Sequence, residues 1–244
     1  MVVIEISILL SLLSQLISYG RWPDDINVWH VNIPIEFMDW NVVSEFLNED
    51  ERLRAVRFIR SEDRLRFALT RTMLRLLLSQ QVNVSIENIR FETGSYGKPA
   101  LIGYPMTSFN VTHSGKHALI IISDSLRYLV GVDIEVIDKF FFWEKLVHVV
   151  CTDLEKKTIS SCPKDLQSEL FFKCWTSKEA LLKAIGIGIT GGVFQRISIN
   201  PLMSNGSFTY SFPQEYPRKE TVSLQFQWLT DINGCIGCIA FSAP

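Results

Sequence analysis

The sequence predicts a mixed helix-and-sheet protein, as one large domain or two compact halves, and three observations carry that expectation. Two long helical segments, one within Leu47 to Gln81 and one opening at Pro163 and closing at Gly186, each stand among short strand-like stretches. No low-complexity linker separates them, and no sequence repeat relates them. The 244 residues are 47% hydrophobic with a mean hydropathy of +0.17, so the chain is long and apolar enough to bury a core, whether as one domain or two halves. The expected division is an N-terminal extension over 1–25, an N-terminal half over 26–125 and a C-terminal half over 126–244.

A net charge of -2 argues against a general nucleic-acid binder. That average hides a local bias. Residues 51–98 hold ten Arg or Lys against five acids, which suits an anion of limited size such as a phosphorylated small molecule. The five cysteines have no framework spacing and read as reduced thiols of a cytosolic protein. Cys235 and Cys238 sit in an apolar stretch with no second pair and no nearby His, and are expected as buried strand residues rather than zinc ligands.

In chain order, Val2 to Ile17 is apolar but carries Glu5 and Gln15 and is shorter than the ~20 residues a membrane span needs. It reads as an extra helix or a poorly ordered extension, with a weak signal anchor as the alternative. Asn27 to Val31 reads as the first strand of the main body. The helical stretch from Leu47 is expected to break before Ser61, an N-cap followed by Glu62 and Asp63, and to run on to about Gln80. On its wheel Arg64, Arg71 and Arg75 form a solvent stripe. Arg66 falls among Thr70, Met73 and Leu77, which implies a buried anionic partner or a snorkelling side chain.

A turn at Gly94 to Pro99 sets Lys98 at the head of a strand. Phe109 to Gly115 is a short strand breaking into Thr112, His113 and Ser114, which are able to ligate a phosphate, and Ala118 to Ile122 is a buried strand. In the strand from Tyr128 to Ile137, period-2 geometry sends Val132, Ile134 and Val136 to one face and Asp133 and Glu135 to the other. Two carboxylates on one face are either an ordinary wet strand surface or, in a cleft, a site for a hard cation. Phe140 to Trp143 puts four aromatics in a row, core residues or a partner-docking flap. On the helix opened by Pro163, Phe172, Trp175, Glu179 and Lys183 share a quadrant, so acid and base stand one turn apart beside a Trp. Gly186, Gly188, Gly191 and Gly192 form a flexible turn, and Phe194 to Ile199, Ser207 to Ser211, Val222 to Trp228 and Cys235 to Phe241 are expected to close a sheet.

Four of these stretches occur in order: Tyr96-Gly97-Lys98-Pro99, Phe109 to Gly115, Gly131-Val132-Asp133-Ile134-Glu135, and Trp175-Thr176-Ser177-Lys178-Glu179-Ala180 with Lys183, Ala184 and Gly186. Together they resemble the motif set of the surfactin-synthetase-activating (Sfp-type) 4'-phosphopantetheinyl transferases, over roughly Ile26 to Phe241. The resemblance implies an α+β fold of two similar α/β halves related by pseudo-twofold symmetry, with the active site between them. It implies an Mg-dependent transfer of 4'-phosphopantetheine from coenzyme A to a serine of an apo acyl or peptidyl carrier protein, releasing 3',5'-ADP. Such carriers serve fatty-acid, polyketide or nonribosomal-peptide synthesis, and the sequence does not choose among them.

By resemblance Asp133, Glu135 and Glu179 surround the magnesium, and Lys98, Thr112 and His113 contact coenzyme A. Arg66 and Arg54 occupy basic positions for its nucleotide end. Asp133, Glu179 and Lys183 are the expected catalytic residues, with Glu179, or a water it activates, as the base and Lys183 steadying the departing ADP. The implied protein is a cytoplasmic monomer with no membrane or nucleic-acid partner. A magnesium-dependent hydrolase of a nucleotide pyrophosphate, and a non-catalytic coenzyme A or carrier-binding scaffold, are the competing expectations.

Overall fold

The computed structural model describes residues 2–94, 97–125, 128–138, 141–188, 193–211 and 221–242. Tyr96, Phe140, Gly191 and Gly192, which figure in the expectations above, lie outside them.

Helix α1 (Val2–Ser11) leads into strand β1 (Leu13–Leu16) and β2 (Ile26–Asn32), followed by the short helices α2 (Trp40–Ser44) and α3 (Glu49–Ala55). The break expected before residue 61 falls after α3, and the long helix α4 (Ser61–Gln81) follows. Its N-cap is Arg60, without a side-chain cap bond, so Ser61 is the first helical residue rather than the cap. The hairpin β3 (Phe91–Thr93) and β4 (Pro99–Leu101) precedes β5 (Ser108–Ser114) and β6 (His117–Ser123). The remainder is β7 (Val130–Val136), α5 (Val147–Val150), α6 (Asp153–Ser161), the long α7 (Lys164–Ile185), β8 (Asn205–Ser211), β9 (Thr221–Leu229) and β10 (Cys235–Ser242).

The fold is α+β, with two four-stranded antiparallel sheets in the orders β1-β2-β6-β5 and β7-β10-β9-β8. Strand periodicity decides how they stack. Val31, Ile120 and Ile122 face one way and pack with Leu69, Met73 and Leu74 of α4. Val28, Leu119 and Ile121 face the other way and meet Val130, Val132, Ile134 and Ile239 of the second sheet. That sheet's far face, with Cys238 and Ala240, packs on Phe171 and Leu181 of α7. The two sheets are therefore sandwiched between two long helices, of 21 and 22 residues.

Several local expectations change. Of the two readings of Val2 to Ile17, the extra helix holds as α1, and an unexpected edge strand follows it, with Leu13 opposite Val31. Arg21 then bridges to Asp231 at 2.8 Å across the molecule, and Trp22 is buried in the cluster between the sheets. Arg75 does not face solvent: it is 2% exposed and bonds Glu51 and the Ile86 carbonyl, because α2 and α3 lie over that side of α4. Arg71 likewise sits over the Phe91 ring at 4.6 Å. Phe194–Arg196 is a 3-10 turn and not a strand. Cys235 and Cys238 are buried strand residues as expected, and all five cysteines are free thiols. Among the described residues no helix is long and apolar enough to cross a membrane.

Candidate active site

Edge strands β5 and β7 lie side by side where the two sheets meet, and polar side chains from alternate positions of β5 stitch them together. The Asn110 side-chain Oδ1 accepts the Val132 amide at 3.0 Å, Thr112 donates to Asp133 Oδ1 at 2.9 Å, and Ser114 donates to Glu135 Oε2 at 2.8 Å while accepting the Val136 amide. Period-2 geometry places these three β5 residues on one face, so a single strand orients both acids of β7.

Helix α7 reaches the same acids because Gly131 has no side chain. A Cβ there would run into the Ala180 carbonyl and the Ala184 amide, so only glycine lets α7 come this close to β7. The approach delivers Lys183, whose ammonium sits 2.6 Å from Asp133 Oδ1 and 3.3 Å from Thr112 Oγ1. One turn earlier on α7, Glu179 faces the same space. The helix ends at Gly186, in the left-handed region at φ +78, against the side chain of Lys98. Lys98 donates to the Val130 carbonyl at 2.9 Å and the Ala184 carbonyl at 3.2 Å, tying the β3–β4 hairpin to the other half.

These residues line one cavity of about 500 Å³, together with Phe67, Thr70, Arg71 and Leu74 of α4 and Arg54 of α3. Eight of the nine site residues singled out from sequence, namely Arg54, Lys98, Thr112, His113, Asp133, Glu135, Glu179 and Lys183, border it. Arg66 does not: its Nε donates to the Gly115 carbonyl at 2.8 Å and its guanidinium pairs with Asp63. Asn110 and Ser114 were given no such orienting role by their sequence context, although the alternation Asn110, Thr112, Ser114 carried the signal.

The electrostatics are those of a site short of cations. Burial pushes the Asp133 carboxyl above its ordinary range, opposed by Lys183 and Thr112. Burial, then the Asp133 charge, raises Glu135. Glu179 is pushed up to about 7, chiefly by burial and then by Asp133, with Lys183 offsetting part. Burial lowers Lys98 to about 8. The His113 ring stays open to the cavity, yet burial of its surroundings and the nearby Arg66 charge lower its pKa.

One ammonium thus serves three carboxylates. Asp133 Oδ2 is buried without a hydrogen-bond partner, a defect worth about 1–3 kcal/mol. An all-oxygen donor set with an orphaned carboxylate oxygen fits a hard divalent cation. The wet-strand reading of Asp133 fails, since the residue is 4% exposed. A second, apolar groove of about 820 Å³ opens beside Glu135 and Trp175, walled by Phe141, Leu146 and Phe172.

Basic side chains and three carboxylates therefore line one cleft between two sheet-and-helix halves. The profile of the 4'-phosphopantetheinyl transferase superfamily matches residues 129–230, and that of the 4'-phosphopantetheinyl transferase N-terminal region matches 34–125. A protein of Synechocystis sp. is 35% identical over 153 residues, 62% of this chain and 61% of its own length. The 4'-phosphopantetheinyl transferase HetI of Nostoc sp. is 31% identical over 68% of this chain and 70% of its own. The 4'-phosphopantetheinyl transferase gsp of Aneurinibacillus migulanus is 28% identical over 84% and 81%. The chain belongs to the 4'-phosphopantetheinyl transferase superfamily.

Proposed function

We propose that this protein moves 4'-phosphopantetheine from coenzyme A to a serine hydroxyl of an apo carrier protein, as an Sfp-type member of its family. The observation that carries the reading is the convergence of Asp133, Glu135, Glu179 and Lys183 on one cavity at the junction of the halves. The serine oxygen attacks the β-phosphorus of coenzyme A, a new phosphoester bond forms, the pyrophosphate bridge breaks, and 3',5'-ADP departs.

Asp133, Glu135 and Glu179 would hold the magnesium, which offsets charge on the pyrophosphate oxygens when bound. Glu179, with a carboxyl near pH 7 in the free protein, takes the serine proton directly or through a water. Lys183, already charge-paired with Asp133, steadies the developing charge on the leaving phosphate, and His113 donates to a phosphoryl oxygen. Arg54 at the outer end of the cavity meets the nucleotide, with Thr112 and Lys98 along its wall. Arg66 acts from behind His113 by its charge. Carrier docking falls to the apolar groove and to the exposed Phe142 beside it.

The division into 26–125 and 126–244 belongs to the same reading and is supported by the two separately matched family segments. A monomer is part of the same reading, and the five free thiols support a cytoplasmic setting. Intact-mass measurement of several apo carriers, incubated with the protein, coenzyme A and magnesium, tests the proposal. A gain of one phosphopantetheine is expected. No gain on any carrier would refute it.

A further inference from the structure

Immediately before Glu179 on α7, Lys178 is fully enclosed, and so is its partner Glu155 on α6. A buried ammonium persists only where its donors are met. Lys178 Nζ donates to Glu155 Oε2 at 2.6 Å, to the Val150 carbonyl at 2.7 Å and to the Phe194 carbonyl at 3.1 Å. Glu155 Oε2 also accepts the Thr152 amide at 2.7 Å, and Oε1 accepts the Ile199 amide at 2.8 Å. Cys151 and Cys174 lie close enough to Glu155 for the three to resemble a metal cluster. Both carboxylate oxygens are nonetheless engaged, and the lysine ammonium already fills the place a cation would take.

Neither Lys178 nor Glu155 lines either cavity, so neither touches substrate. Their geometry acts through the helix. Successive residues of α7 project about 100° apart, so whatever fixes the direction of Lys178 fixes that of Glu179. Three separate segments grip Lys178: the end of α5, the first turn of α6 and the 3-10 turn Phe194–Arg196. The close contact at Gly131 sets how near α7 comes to β7, and the grip on Lys178 sets how it is turned.

Resting on the transferase reading, we propose that Lys178, with Glu155 as its counter-ion, is a positioning residue. It fixes the rotation of α7 so that Glu179 and Lys183 face Asp133.

The test is the double variant Lys178→Met/Glu155→Gln, which removes both charges at similar volume. Buried ion pairs often tolerate such replacement, so a melting temperature within about 5 °C of the parent is expected. The positioning role predicts a crystal structure in which the Glu179 carboxylate has left its place beside Asp133. It also predicts Mn²⁺ binding, followed by electron paramagnetic resonance, weakened about 10-fold. Turnover should fall about 10- to 100-fold, with KM for coenzyme A changed less than about threefold. A folded double variant with Glu179 unmoved, and with Mn²⁺ affinity and turnover within about twofold of the parent, overturns the proposal. If the double variant does not fold, Glu155→Gln alone decides between the same two outcomes, because it keeps the acceptor for Ile199. Should the parent neither bind Mn²⁺ nor modify a carrier, the transferase reading fails, and the position of Glu179 in the variant still settles the role of Lys178.

Discussion

Lys183 of α7 and Asp133 of β7 meet at 2.6 Å, and that pair joins the long helix of the second half to the acids that β5 of the first half holds in place. Only Oδ1 of Asp133 is used; Oδ2 is buried with no hydrogen-bond partner among the described residues.

Asp133→Asn removes the charge that balances Lys183 and the oxygen free for a cation. Carrier modification is expected to drop about 100-fold or more, as for loss of one charge-stabilising group in a closed site. Thermal stability should stay level or rise, because burial already disfavours the ionised form. Turnover within about tenfold of the parent would remove Asp133 from the chemistry.

Gly131→Ala places a methyl group against the backbone of Ala180 and Ala184. Backbone cannot yield as a side-chain tip does, so a loss of about 3 kcal/mol or more is expected in denaturant unfolding. A variant within about 1 kcal/mol of the parent would mean that α7 is not held this close to β7.

Stability without metal should depend on pH through Glu179. Its folded pKa of about 7 lies above the ordinary 4.5, so between these values the folded state holds more protons than the unfolded one. The stabilisation present below about pH 4.5 is therefore lost as pH rises to 7, and the raised Asp133 and Glu135 act in the same direction. Chemical denaturation across that window should give falling stability, with a flatter slope in Glu179→Gln. A slope of opposite sign, or one unchanged in the variant, would contradict the burial of Glu179.

Arg75→Ala removes one of the two arginines that face Glu51, which keeps Arg71 at 3.7 Å and the Asn48 amide, and should cost about 1.5–3 kcal/mol, whereas Arg57→Ala on the exposed surface should cost under about 0.5 kcal/mol. Equal melting temperatures for the two variants would argue against the buried network.

The contrast between those two arginines marks where sequence ceased to be informative. Helical spacing correctly groups Arg64, Arg71 and Arg75, but periodicity says which residues share a face and not what lies over it, and here α2 and α3 cover the stripe. Asp133 with Glu135, and Glu179 with Lys183, were legible because periods of 2.0 and 3.6 fix local direction regardless of context. Their meeting across the junction was not, since it depends on the close approach at Gly131. Lys98 was legible as a turn lysine, whereas its two carbonyl partners belong to distant segments. The alternation at Phe194 to Ile199 suggested a strand. Instead the Phe194 carbonyl accepts Lys178 and the Ile199 amide is taken by Glu155, so neither group joins a ladder.

The most direct test of the central claim is to quantify 3',5'-ADP release and carrier mass gain in one reaction containing coenzyme A, magnesium and an apo carrier. The account predicts one ADP per modified carrier, none with a carrier whose acceptor serine is alanine, and both products formed about 100-fold or more slowly with Asp133→Asn. Release of ADP without a carrier, or full carrier modification by the Asp133 variant, would contradict it.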